Sequence, residues 1–307
     1  MSRIGEPEIV FVVSTVAHEQ PLVLTMGSSE SLPWEKVSAQ FPSLSAQVRA
    51  WLEHRLNMSS SVEQLYTHAE RYLLGEPEAP VLSVSYLSNI HLSKTPGRDW
   101  KSWYDYLPWE DRRESATRTP FDISSLVSSL DRWCATPRSP LHQARLRNRI
   151  AILFGLPPHT WREDRALSRL QLLHAAGLIP DMEGGALFDH TVAGRAMEHD
   201  HRRILATAVS RVRANLFSHV VLFSFAPTQF TLLELQLIAE AVLGRRVHKQ
   251  NFRRWAEPYV VPVIPNVSRG SHGRPARMFS TRASAYRDEP ATGCLLYTSP
   301  SPRDVEE

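Results

Sequence analysis

Ten residues near the C-terminal end, His248 to Glu257 (HKQNFRRWAE), carry side chains suited to reading a nucleic acid. Asn and Gln can each pair bidentately with adenine and Arg with guanine, while Lys neutralises phosphate. Lys249, Gln250, Asn251, Arg253 and Arg254 therefore form a candidate DNA-contacting set, with Arg245 and Arg246 just ahead of it. Phe252 and Trp255 are spaced to anchor a helix in a core instead.

A helix must present such a set, and the preceding segment is built to hold one. In FTLLELQLIAEAVLG (Phe230 to Gly244), Thr231 is placed to cap the first turn, and Glu234 can reach back to complete a capping box. Leu235, Ile238, Ala239 and Val242 form an apolar stripe, and Gly244 can take the left-handed conformation that stops a helix. Two helices joined by a glycine-containing turn predict a helix-turn-helix. Beyond them, Tyr259–Ile264 and Ala276–Phe279 can pair as a hairpin across Pro265–Pro275 (PNVSRGSHGRP). That hairpin is a wing, and its tip brings Arg269, His272 and Arg274 to a phosphate backbone or minor groove.

Charge agrees with this assignment. From Asp200 to Gly293 there are 14 Lys/Arg against six Asp/Glu, whereas residues 1–199 carry 20 against 23. A basic C-terminal third on a slightly acidic body implies an anionic partner for that third, double-stranded DNA first.

Catalytic and metal chemistry find little support. There is no GxSxG or P-loop pattern, and His201 and His248 lack a carboxylate or cysteine at ligand spacing. Cys134 and Cys294 are the only cysteines, too few for a disulfide framework or a CxxC site, and Cys134 in DRWCAT reads as a small core residue. No cofactor and no metal are expected. With no apolar run near 18 residues and no signal-peptide pattern at the N-terminus, a cytoplasmic protein without a membrane partner is expected.

The remaining elements position the basic module. Glu8–Thr15 and Pro21–Met26 predict strands around a turn at Glu19-Gln20, Ser43–Arg55 a helix, and Val62–Thr67 and Val81–Ile90 two more strands. This is an α/β sandwich over residues 1–115. Residues 116–190 read as a helical extension with helices at Asp122–Ala135, Leu141–Phe154 and Glu163–Ala176. A connecting helix, Val192–Leu216 within residues 191–216, leads to the winged helix at 217–293. The fold class is α+β. The aromatic stretch DWKSWYDYLPWEDRR (Asp99 to Arg113) admits two readings, a stacking platform for an adenine ring or a packed loop.

FTLLELQLIAEAVLG, NFRRW and GRPARMF together resemble the winged helix-turn-helix of the Nudix-related transcriptional regulators of NAD metabolism, the NrtR type. Asp200-His201 and Ile204-Leu205 resemble the start of that family's connecting helix, and VEQLYT and SVSYL resemble strands of its Nudix-like domain. The resemblance covers about residues 8–115 and 195–290, and the helical extension is similar to a longer branch. It implies a DNA-binding transcriptional regulator, a repressor of NAD-related genes, acting as a homodimer on a palindromic operator. Its Nudix-like domain would bind an NAD-derived nucleotide such as ADP-ribose.

Hydrolysis by a Nudix domain needs the box G-x5-E-x7-R-E-U-x-E-E-x-G-U, where U is bulky and aliphatic, because its glutamates hold divalent metals. The best alignment is RAWLEH: Arg49 and Glu53 fit, but Ala50 and His54 replace two glutamates and the box glycine is missing. The domain is therefore read as non-catalytic, with Glu53 a solvated or ion-paired helix residue. Arg49, Glu53, Trp103 and Tyr104 are the candidates for contact with an effector. Two alternatives are an active Nudix hydrolase and a ligand-independent DNA-binding protein.

The last segment belongs to none of these units. CLLYTSPSPRD, Cys294 to Asp304, is letter for letter what a common transposase-based sequencing adapter encodes when read in frame. Residues 294–307 are therefore expected to carry no fold, with the native chain reaching about Gly293.

Overall fold

The computed structural model describes residues 6–28, 30–68, 81–114, 121–136, 139–179, 194–217, 219–263 and 277–282. Its N-terminal half is organised around strand β1 (Glu8–Ala17), whose sequence EIVFVVSTVA is apolar on both faces, as a strand covered on both sides must be. Ile9, Phe11 and Val13 face helix α1 (Leu44–Leu56), which lays Val48 and Leu52 against them. Val10 and Val12 face the opposite way, into a larger core. Ser43 caps α1 by accepting from the Ala46 amide, and Asn57 ends it at φ 53°.

Strand β2 (Gln20–Leu24) returns antiparallel to β1 through a two-residue turn, His18-Glu19, with φ of 49° and 58°. Positive φ at both positions lets the turn twist with its strands. The turn falls one residue earlier than expected. Strands β3 (Trp34–Lys36), β4 (Glu63–His68), β5 (Ser83–Asn89) and β6 (Trp100–Ser102) complete a sheet of order β4-β5-β1-β2-β6, with β3 beside the first residues of β1. Only β1 and β5 run parallel. β3 and β6 have three residues each, too short to leave a period-two pattern in the sequence.

Helix α2 (Trp103–Tyr106) and a 3-10 turn at Pro108–Glu110 follow β6 directly. The extension contains α3 (Ile123–Cys134), α4 (Pro140–Phe154) and α5 (Ala166–Ala175), with a 3-10 turn at Glu163–Arg165 leading into α5. These lie close to the expected helices. The connecting helix differs more. It is α6 (His201–Ala214), and residues 194–200 are not helical. Their backbone is spent on the aromatic segment: the Arg195 amide donates to the Asp105 carbonyl at 2.7 Å, and Gly194, at φ 67°, presses against Pro108.

The C-terminal unit comprises α7 (His219–Ser224), α8 (Leu232–Leu243), α9 (Lys249–Ala256), β7 (Val260–Pro262) and β8 (Phe279–Thr281). β8 begins where its strand was expected to end. Phe279 exchanges backbone hydrogen bonds with Phe230 at 2.9 and 2.8 Å, which fixes the register of the hairpin. One apolar core runs from Val10 and Val12 through Trp103, Trp109 and the extension to Phe252 and Val260. Each large side chain buried there contributes on the order of 2–3 kcal/mol.

Candidate nucleic-acid interface and the buried hub behind it

Helix α8 is capped as its sequence requires. The Glu234 amide donates to Thr231 Oγ1 at 3.1 Å, the Thr231 amide donates to Glu234 Oε2 at 2.7 Å, and Gly244 closes the helix at φ 70°. In α9, Phe252, Trp255 and Ala256 point inward. Trp255 meets Phe217, Phe223, Phe252 and Tyr259 with ring centroids 5.0 to 6.4 Å apart, an aromatic cluster that seats the helix. With that face fixed, helical spacing turns Gln250, Arg253 and Arg254 outward together. Lys249, Gln250, Arg253 and Arg254 are exposed, while Asn251 is half-buried at the flank. No acidic residue stands in the first turn of α9 to repel a phosphate.

Arg245 and Arg246, in the turn before α9, each pair with a carboxylate of the same chain. Arg245 Nε binds the Glu163 carboxylate of the extension, and Arg246 Nη1 lies 2.7 Å from Glu240 Oε2. Glu240 is buried and also accepts from the Val247 amide at 3.2 Å and from Gln236 Nε2 at 2.9 Å. These guanidiniums compensate two buried carboxylates and shape the turn, while the Arg246 side chain stays exposed. Glu240 gave no sequence signal, because a polar residue on a helix reads as solvent-facing. The wing-tip residues Arg269, His272 and Arg274 and the segment 294–307 lie outside the described residues.

Behind the turn sits a buried ionic hub. Glu110 accepts a bidentate pair from Arg169 of α5, at 2.6 and 2.9 Å, and a further bond from Arg213 Nη1 of α6. All three side chains are fully buried. Burial alone would push the Glu110 carboxyl up, but the two guanidiniums overcome that and hold it below its ordinary value. The same two cations satisfy backbone across three units. Arg169 Nη1 reaches the Leu153 and Arg162 carbonyls at 2.9 and 3.0 Å, and Arg213 Nε reaches the Val242 carbonyl at 2.8 Å. The Arg112 amide donates to the Gly244 carbonyl at 2.7 Å, and a Cβ on Gly244 would lie 2.1 Å from the Glu110 carbonyl oxygen. The aromatic segment, the extension and the helix-turn-helix thus share one hydrogen-bonded centre.

Residues 222–281 match the family model of the NrtR DNA-binding winged helix domain. The C-terminal unit is an NrtR-type winged helix. The crystal structure of Shewanella oneidensis NrtR complexed with a 27mer DNA is similar to the whole chain, with a TM-score of 0.51 at 16% identity, covering 92% of this chain and 95% of that one. The same Shewanella protein without DNA gives a TM-score of 0.51 at 16% identity over 91% and 94%. A MutT/nudix family protein from Enterococcus faecalis gives 0.48 at 14% identity over 91% and 89%. No curated protein matches by sequence. The likeness to the Shewanella protein establishes the fold: a Nudix-like α/β unit carrying an NrtR-type winged helix.

On the Nudix-like side, two of the four effector candidates are corrected. Trp103 and Tyr104 are 0% and 1% exposed, so neither offers a ring face to a ligand. They are wedged between the sheet and α8, and the aromatic stretch is packed core. Arg49 and Glu53 do share α1, both exposed, with the Arg49 guanidinium 3.4 Å from Ser45 Oγ. Among the described residues no three His, Cys, Asp or Glu come together to hold a metal ion.

Proposed function

We propose that this chain is a DNA-binding transcriptional regulator, a repressor of NAD-related genes, whose Nudix-like domain senses an NAD-derived nucleotide such as ADP-ribose without hydrolysing it. The observation that carries this reading is the NrtR-type winged helix at 222–281, with Gln250, Arg253 and Arg254 turned outward from an anchored α9. Arg and Gln can read base edges in the major groove, while Lys249 takes a phosphate. The protein acts in the cytoplasm as a homodimer on a palindromic operator, with α6 setting the distance between half-sites.

The non-catalytic part of the reading rests on Ala50 and His54, which remove the charge that two metals and a pyrophosphate require. A nucleotide regulates such a protein only if it binds one arrangement of the two winged helices more tightly than another. The hub gives that requirement a physical route, since a shift of the aromatic segment moves the Gly244 turn through Arg112 and Glu110.

The test is a footprint on DNA upstream of the chain's own gene and of neighbouring NAD genes, with and without ADP-ribose. A protected palindrome that ADP-ribose releases is expected. Protection that no nucleotide alters would favour a ligand-independent DNA-binding protein. Magnesium-dependent pyrophosphatase activity lost in Glu53→Gln would overturn the non-catalytic assignment.

A further inference from the structure

Beside the hub, one cation lacks a counter-charge among the described residues. Glu110 serves Arg169 and Arg213, and Glu163 serves Arg245. Arg162 and Arg246 have carboxylates of their own, Asp164 and Glu240. Arg112 reaches solvent at the same junction, and among the described residues its guanidinium makes no ion pair or hydrogen bond. Four guanidiniums, those of Arg112, Arg169, Arg213 and Arg245, therefore face two carboxylates. Partial burial lowers the Arg112 pKa first, and Arg169 and Arg245 lower it further, against Glu163 and Glu110. The junction is short of negative charge.

The chain also holds this cation ready for an anion. The Arg112 amide donates to the Gly244 carbonyl at 2.7 Å, and Arg245 is the next residue along. The Arg112 guanidinium lies 4.6 Å from the Trp161 ring centroid, and Arg169 lies 3.8 Å from the same ring. Trp161 is fixed in turn. Phe154 meets it edge-on at 6.2 Å, and a Cβ on Gly155 would lie 2.4 Å from the Trp161 backbone nitrogen. A guanidinium laid over an indole spends its flat face on the ring and keeps its N–H edge for a ligand. The Arg245 side chain, 26% exposed, supplies a second fork at the same turn. Such forks match phosphate oxygens, and a phosphate dianion would offset the excess of positive charge.

We infer that Arg112 and Arg245, at the Gly244 turn, form a binding site for the phosphate group of a small molecule. The site belongs to the aromatic segment and the turn, apart from α1 and from the outward face of α9. It is therefore independent of the nucleotide sensing and the base reading proposed above.

The experiment titrates the full chain calorimetrically with orthophosphate and with AMP, in chloride buffer at constant ionic strength. Arg112→Gln removes the cation but keeps the backbone bond to Gly244, and Lys94→Gln removes an exposed charge from the Nudix-like unit as a control. Orthophosphate should saturate one site in the wild type and in Lys94→Gln, and bind about 10- to 100-fold more weakly to Arg112→Gln. Equal affinity for the two ligands would identify the free ion as the occupant. Tighter binding of AMP, lost in Arg112→Gln, would identify a nucleotide phosphate. Absence of saturable orthophosphate binding, or binding that Arg112→Gln leaves unchanged or Lys94→Gln weakens equally, overturns the inference and leaves the regulator reading standing. A footprint that ADP-ribose does not alter overturns the sensor reading alone. Phenylglyoxal labelling of the wild-type protein gives a second reading free of folding effects. Orthophosphate should shield Arg112 from modification, and undiminished labelling in a saturated sample would exclude contact.

Discussion

The Tyr104 hydroxyl donates a 2.5 Å hydrogen bond to the Ala241 carbonyl, across 137 residues of sequence. One residue lies in the aromatic segment that follows the sheet, the other near the C-terminal end of the first helix of the helix-turn-helix. Burial pushes the phenol up to about 12, so it stays a neutral donor at any working pH. Tyr104→Phe should cost about 1–2 kcal/mol, by loss of the bond and stranding of a buried acceptor. Urea unfolding should show a lower midpoint at unchanged slope. An unshifted midpoint would mean the bond contributes nothing.

Gly244 is the tightest point of the same junction. A side chain there faces both φ 70° and a backbone oxygen at 2.1 Å, whereas Gly177 has a similar φ of 66° with open space around it. Gly177→Ala should therefore cost only the conformational strain, about 1 kcal/mol. Gly244→Ala should cost at least about 3 kcal/mol, since backbone must move. Equal losses in thermal unfolding would show that φ alone matters and that the approach of Glu110 does not.

Glu110→Gln tests the hub directly. It removes the one carboxylate that compensates Arg169 and Arg213, leaving two guanidiniums buried without a counter-charge. Breaking such a pair from one side costs about 3–5 kcal/mol. Replacing all three together by Met or Leu leaves no charge buried but strands the Leu153, Arg162 and Val242 carbonyls, so it should restore only part of the loss. If Glu110→Gln unfolds at the wild-type denaturant concentration, the hub is not stabilising in this sense.

How far the sequence carried the interpretation varied by element. The capping box at Thr231 and Glu234 and the stop at Gly244 were legible because each follows from local backbone chemistry. The anchoring of α9 by Phe252 and Trp255 followed from spacing alone. Glu110, Arg169 and Arg213 were not legible. Each reads as a solvated charge in its own segment, and only the tertiary fold brings them within bonding distance. The ion pair of Arg245 was not legible for the same reason, since its partner Glu163 lies 82 residues away. Trp103 and Tyr104 show the converse: aromatic density marked the segment, but nothing local said which way the rings face.

Acid should destabilise the fold in two separate windows. Burial first, and Arg203 second, depress His68 from an ordinary 6.5 to about 4, with Asp200 pulling weakly the other way. Between pH 6.5 and about 4 the unfolded chain therefore binds a proton that the fold rejects, and stability falls as pH falls. The loss is on the order of 1–2 kcal/mol, allowing for solvent near the ring. Glu110 acts lower. Its folded value lies below 4.5, so its contribution is present above 4.5 and is lost only as pH falls further. Urea midpoints from pH 7.5 to 4.5 should decline for the wild type and stay flatter for His68→Gln. Parallel declines would remove His68 as the cause.

The outward face of α9 yields the sharpest functional prediction. Gln250 and Arg253 lie one turn apart and exposed, Lys249 stands beside them, and Asn251 is half-buried at the flank. If Gln250 and Arg253 read base edges, Gln250→Ala and Arg253→Ala should each weaken operator binding by about 1–3 kcal/mol and random-duplex binding by much less. Lys249→Ala should weaken both DNAs alike and make the salt slope shallower by about 1. Asn251→Ala should fall between these, since part of its side chain is already committed to packing. The comparison is decided by the ratio of operator to random affinity in each variant. A ratio unchanged by Gln250→Ala and Arg253→Ala would reduce α9 to a phosphate clamp and move sequence reading to other parts of the winged helix.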